Sequence, residues 1–291
     1  MSGILINLLQ GIEWRSCMLQ KNVFLITSIL LLLKIILFTG CINRQDYSMN
    51  TGNIYYFRLS NPDETFYSIR NDIKLIQPHK YKYNGIKIKT TEREKRCYIV
   101  GTRFAKAHFY LLLKDYNTVR DICESIIEEA DKLDFESDKI KNISLTYKED
   151  FDDKRSFLWI KQFLNNTKND LIQILNCSAS RTAGIMLEFG IWIETICQIS
   201  NIVHDEYSLK SAAVLLKKNE AEYFKALFGS IKLNINVIES DMIYEMLFDV
   251  CCKLVGLMEI NEYNSISMQI VNSIHALTSR VNNNIINGIM K

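Results

Sequence analysis

Apolar side chains recur at helical spacing through most of the chain. Val119, Ile122, Ile126, Ala130 and Leu133 follow one another three or four positions apart with acids between them, which is one face of an amphipathic helix. Upstream, Asn61-Pro62-Asp63-Glu64 reads as a helix start: a capping residue, proline at the first helical position, then acids at the positive end of the dipole. That helix is expected to run to about Gln77, where Pro78 stops it. Thr91-Glu92-Arg93-Glu94 has capping-box spacing and opens a second helix to about Lys114, with Asp115-Tyr116-Asn117 as the turn after it. A short helix is expected over 137–145. A long one starts at Asp152 or Asp153, with Phe157, Ile160, Phe163, Leu164, Leu171 and Ile174 inward and a break near Asn165-Asn166. Further helices are expected at about 178–203, 207–232, 239–258 and 263–286. The pattern predicts an all-α fold, an antiparallel array of about eight or nine helices with short turns.

The N-terminal pattern is different. Val23 to Phe38 is the most apolar run in the chain, with Lys34 its one charge, and Thr39-Gly40-Cys41 follows it directly. Small residues before a cysteine, after an apolar run, resemble the lipobox of bacterial lipoproteins. That resemblance implies a diacylglycerol on Cys41 and cleavage just before it, with residues 1–40 as a signal peptide that starts at Met1 or Met18. The position three before the cysteine is Phe38 where that family usually has Leu. Two other readings stand beside it: a single uncleaved anchor, since about sixteen apolar residues approach a minimal span, and a buried core helix. Residues 41–53 are polar and unpatterned, a tether, which leaves 54–291 as one helical domain. The expected location is the bacterial cell envelope, lipid-anchored and periplasmic or surface-exposed, with a single-pass anchor as the alternative.

Composition supports this division. Apolar residues make up 48 % and charged residues 23 %, a globular balance that excludes wholesale disorder. The only prolines are Pro62 and Pro78, too few for a turn-rich β fold. Lysine and arginine exceed acids by a net +2, and the leader holds all of that excess in Arg15, Lys21 and Lys34 against Glu13. The remainder is neutral, so it lacks the basic footprint that nucleic acid requires. Cys97, Cys123, Cys177, Cys197, Cys251 and Cys252 lie largely on apolar helical patterns, where thiols behave as small hydrophobes, and are expected to be mostly free.

The central stretch, Ala183 to Val203, is apolar around most of its circumference. Its exceptions, Glu194, Gln198 and Asn201, lie at i, i+4 and i+7 beside Gly190. Such a helix usually crosses the core and touches solvent along one edge, and Trp192 on the apolar arc is expected to be buried. The sharper alternative makes Glu188, Trp192, Glu194 and Gln198 the lining of a ligand cleft. Gly184 and Gly190 are expected to mark close helix–helix contact, because a mid-helix glycine costs about 1 kcal/mol relative to alanine.

Catalytic spacings are missing from the sequence. There is no Glu-x-x-His, His-Glu-x-x-His, Cys-x-x-Cys, Gly-x-Ser-x-Gly or phosphate-cradling glycine loop. His204-Asp205-Glu206 reads as a solvated turn, because adjacent residues rarely converge on one ion. No metal, cofactor or catalytic residue is therefore assigned. Residues 101–133, with Gly101, the Lys114-Asp115-Tyr116-Asn117 turn and Ala130, resemble one tetratricopeptide-type hairpin, without further copies at that period.

Asn61-Pro62, Val100-Gly101, Ala130-Asp131-Lys132-Leu133 and Gly190-Ile191-Trp192-Ile193-Glu194 occur in an order that resembles the helical, lipobox-bearing proteins of unknown function found in Bacteroidetes. Where that family shows an aspartate a few residues after the first glycine, this chain has Lys106. The resemblance implies a fold and an address and brings no activity with it. The expectation is thus a membrane-tethered helical lipoprotein that binds a small-molecule or protein partner. A helical-repeat-like scaffold recruiting a protein is the alternative, and an enzyme with a site near Glu194 the third.

Overall fold

The computed structural model describes residues 59–69, 92–133, 157–177, 181–234, 241–259 and 266–287, all in the second of the two compact units into which the chain divides, Tyr56–Lys291. The leader, Cys41, the tether and the helix expected over 137–145 lie outside them. The described residues are all-α: helices α1 (Pro62–Ser68), α2 (Arg93–Leu112), α3 (Tyr116–Asp131), α4 (Phe157–Cys177), α5 (Arg181–Asp205), α7 (Lys218–Asn234), α8 (Asp241–Glu259) and α9 (Met268–Asn287), with a five-residue turn of helix, α6 (Leu209–Ala213).

The array is organised around α5, which packs on α2, α9, α4, α1 and α7. By length and composition α5 passes for a membrane-crossing helix over Thr182–Asp205, yet 78 % of its most apolar 18-residue stretch is buried inside the domain. Its closest neighbour is α2. A Cβ placed on Gly190 would sit 2.2 Å from the Tyr98 carbonyl oxygen, and one on Gly101 would sit 2.2 Å from that of Leu187. Each glycine therefore receives the backbone of the other helix, a spacing no other residue permits. At Gly184 the near neighbour is the Asn176 side chain of α4, 2.7 Å from a Cβ position.

Around this crossing, α2 and α3 make a hairpin, and α7 pairs with α8, which leads on to α9. The turn between α2 and α3 puts Lys114 at φ 60°, and Asp115 caps α3 by accepting from the Thr118 amide (3.2 Å) and hydroxyl (2.7 Å). All five residues of the Val119–Leu133 stripe are buried. On the other side of α5, Phe189 and Trp192 meet Phe224 at ring-centroid distances of 5.1 Å each, and Phe228 lies 4.9 Å from Phe189. Trp192 is buried as expected.

Five local expectations are corrected. Helix α1 ends at Ser68, with Ile69 as its C-cap, where a run to about Gln77 was expected. The capping box does not form, since α2 has Glu92 at its N-cap without a side-chain cap bond, and Glu92 instead accepts from Lys95 at 2.7 Å. Helix α4 runs unbroken through Asn165-Asn166, and its inward set differs: Phe157 is 39 % exposed, while Leu175 is fully buried where Ile174 was expected. The helix expected over 207–232 is split between α6 and α7. At about 100° per residue, Ala212 and Ala221 would lie on opposite faces of a continuous helix. The turn at 214–217 lets both become fully buried, with Leu215 between them. Finally, the polar stripe of α5 does not meet solvent at Glu194, which is 2 % exposed.

Candidate functional site

The four residues singled out on α5 fall on two faces, Glu188 with Trp192 and Glu194 with Gln198, each pair at i and i+4. Trp192 faces the aromatic cluster of α7. Glu194 and Gln198 face the seam between α2 and α9. There the Gln198 amide donates to Glu194 Oε1 at 2.6 Å, and the Asn282 amide of α9 donates to Oε2 at 2.7 Å. Tyr98 of α2 donates its hydroxyl to the Asn282 Oδ1, and the Lys106 ammonium lies 3.7 Å from Glu194 Oε1. Burial raises the Glu194 carboxyl above its usual range, against the pull of Lys106 and of the two amide donors. Burial, followed by the Glu194 charge, also keeps the Tyr98 phenol protonated. Both Glu194 oxygens thus have donors, and this network ties three helices together.

One turn before Trp192 on α5, Glu188 borders a second polar cluster. Burial pushes its carboxyl up to about 7, against the charge of Lys168 on α4. On α4, Lys161, Asn165 and Lys168 repeat at i, i+4 and i+7, a polar line on one face. Lys161 pairs with Asp63 of α1 at 2.6 Å, and Lys168 donates to the side chain of Asn61. Asn61 holds the N-cap position of α1 but makes no side-chain cap bond, because its oxygen is taken by that lysine. Burial works against the Asp63 carboxylate, but the Lys161 hydrogen bond and neighbouring positive charge outweigh it and lower its pKa.

His108 of α2 completes this group and is 1 % exposed. Burial pulls its imidazole down to about 4, against the charge of Asp63 and with those of Lys168 and Lys161. The ring is therefore neutral near pH 7, with one nitrogen a donor and the other an acceptor. Neither nitrogen has a hydrogen-bond partner among the described residues, and the same holds for buried Asp63 Oδ1 and Asn165 Oδ1. Leaving such a buried atom unmet costs about 1–3 kcal/mol, so a concentration of them on adjoining elements calls for a reason.

Apart from Glu188, the residues of this second cluster read in the sequence as ordinary structure. Asn61-Pro62-Asp63 reads as a helix start, and a lone histidine inside Ala107-His108-Phe109-Tyr110 reads as core. Only the Lys161–Asn165–Lys168 line is a recognisable pattern, and polar lines normally mark a solvated face.

Other chemistry is sparse. Among the described residues no three His, Cys, Asp or Glu side chains are grouped so that they could hold a metal ion. His204, in the last turn of α5, donates from Nδ1 to Asn272 Oδ1 at 2.7 Å and is stacked 6.3 Å from His275. Burial pushes the Cys97 thiol up to about 12 and that of Cys197 to about 11, so neither is a thiolate nucleophile. No known protein family, characterised protein or solved structure matches the chain.

Proposed function

We propose that the chain is a membrane-tethered, extracytoplasmic lipoprotein whose helical domain is a ligand-binding module. The tether is supported by the Val23–Phe38 run ending at Cys41 and by a polar stretch after it, with positive charge concentrated in the leader. The binding role is supported by one observation above the rest: His108, buried in an otherwise apolar helix face, with both ring nitrogens unpartnered. A scaffold has no use for such a residue, because an apolar side chain of similar size would fill the space without the desolvation penalty. The Glu194 network is assigned to holding α2, α5 and α9 in register.

Mass spectrometry of the membrane-extracted protein tests the tether. The expected result is Cys41 as first residue, bearing a diacylglycerol, and a Cys41→Ala variant that accumulates as uncleaved precursor. Intact peptides running from Phe38 to Arg44 in the mature protein would replace the lipid by a helical anchor. Native mass spectrometry of the same extract reads the binding role, with a small molecule retained by the folded chain and lost from a His108→Phe variant that still folds.

A further inference from the structure

The second cluster also carries information about what it takes. Its unmet atoms are mostly acceptors: Asp63 Oδ1, Asn165 Oδ1 and one nitrogen of neutral His108, the other being a donor. Its cationic groups are already engaged, Lys161 by Asp63 and Lys168 by Asn61. An anion would therefore bring acceptors to a site that wants donors. A cation would enter beside two ammonium groups that already oppose a proton on His108. What remains is a neutral molecule rich in hydroxyl groups, each of which donates once and accepts as well. Lys161, 36 % exposed at its side chain against 12 % for Asp63, reaches solvent at the edge of the cluster, and its flexible stem can swing aside without moving a helix.

We propose that His108, Asp63 and Asn165, framed by Lys161, Lys168 and Glu188, bind a small neutral polyhydroxy molecule, a polyol or monosaccharide. This rests on the binding-module reading above and narrows it to a ligand class. Hydroxyls of the ligand donate to the Asp63 and Asn165 oxygens and to the unprotonated nitrogen of His108. The protonated nitrogen donates to a ligand oxygen.

The test uses the full chain, labelled with 15N-histidine, in a detergent without a sugar headgroup. Only His79, His108, His204 and His275 then contribute ring signals. Glycerol, myo-inositol and glucose are titrated as neutral polyols, acetate and phosphate as anions, ethylammonium as a cation. The expected result is a saturable shift of the His108 ring for at least one polyol, with His204 and His275 unmoved. Asn165→Ala should weaken that binding about tenfold, the worth of one hydrogen bond, while its ligand-free melting curve shows that it folds. Saturation by acetate, phosphate or ethylammonium with the polyols silent overturns the ligand class and leaves the binding module standing. No response to any probe, with a bare chain in native mass spectrometry, means ordered water only, and both readings fall.

Discussion

Glu188 and His108 are shifted in opposite directions by one cause, the loss of water around them. The folded chain holds a proton on Glu188 more tightly than the unfolded chain does, since burial lifts that carboxyl from 4.5 to about 7. Its contribution to stability is complete below about pH 4.5 and is lost as pH rises through 7. The folded chain holds a proton on His108 less tightly, because burial lowers it from 6.5 to about 4. That contribution is present above pH 6.5 and is lost as pH falls through 4. The two windows overlap with opposite sign. Relative to the intact chain, Glu188→Gln should therefore lose stability between pH 7 and pH 4.5, and His108→Gln should gain it. Urea midpoints of the three proteins measured at intervals across that range decide the point. Parallel curves would show that neither group titrates out of step with its unfolded state.

Periodicity is a property of single elements, and single elements are what the sequence makes legible. The stripe of α3 is buried residue for residue, and the spans of α5 and α8 differ from expectation by three residues at most, while α9 begins five residues later than expected. The division between α6 and α7 is not legible, because no glycine or proline marks it. It exists so that Ala212 and Ala221 can both turn inward, a demand set by the helices they meet. Glycines show the same contrast in energetic form. Gly190→Ala or Gly101→Ala would drive a Cβ into backbone, which side-chain repacking cannot relieve, so each should cost at least the 1–3 kcal/mol typical of overpacking. At Gly256 of α8 a Cβ would meet nothing within 4 Å, and Gly256→Ala should stabilise by about 0.5–1 kcal/mol through helix propensity alone. Chemical denaturation of the three variants gives the comparison. Equal effects at Gly190 and Gly256 would remove the case for a backbone-to-backbone crossing.

At the scale of the whole molecule, the sequence fails where residues far apart in the chain meet. The His108 cluster takes its members from α1, α2, α4 and α5, and each member except Glu188 reads blandly in its own element. Glu194 stands out in the sequence because it breaks the pattern of one helix, yet its buried partners, Asn282 and through it Tyr98, are brought near only by the fold. The thiols were easier, because a buried cysteine on an apolar face needs no partner. Cys97, Cys123, Cys197, Cys251 and Cys252 are free in the structure, and burial raises the thiol pKa of Cys123 and Cys251 as well as those of Cys97 and Cys197. Alkylation of the native chain should label Cys97, Cys123 and Cys251 slowly, and denaturation without reductant should make all five reactive at once. Disulfide-linked peptides among them would contradict this.

The mutual seating of Gly101 and Gly190 also limits how the molecule can move. Sliding α2 along α5 by one helical turn, about 5.4 Å, would bring residues with side chains into the gap that only glycine leaves open. A rotation would do the same and would part Tyr98 and Lys106 from the groups they hold. The two helices therefore behave as one rigid strut, and His108 is fixed to it. Any rearrangement that admits a molecule to the cluster falls to α1 and α4, which reach the strut through side chains and can yield by changing rotamers. Opening is then a displacement of Asp63 and Lys161 against a stationary imidazole. The moving parts and the fixed reference point belong to different elements of the same site.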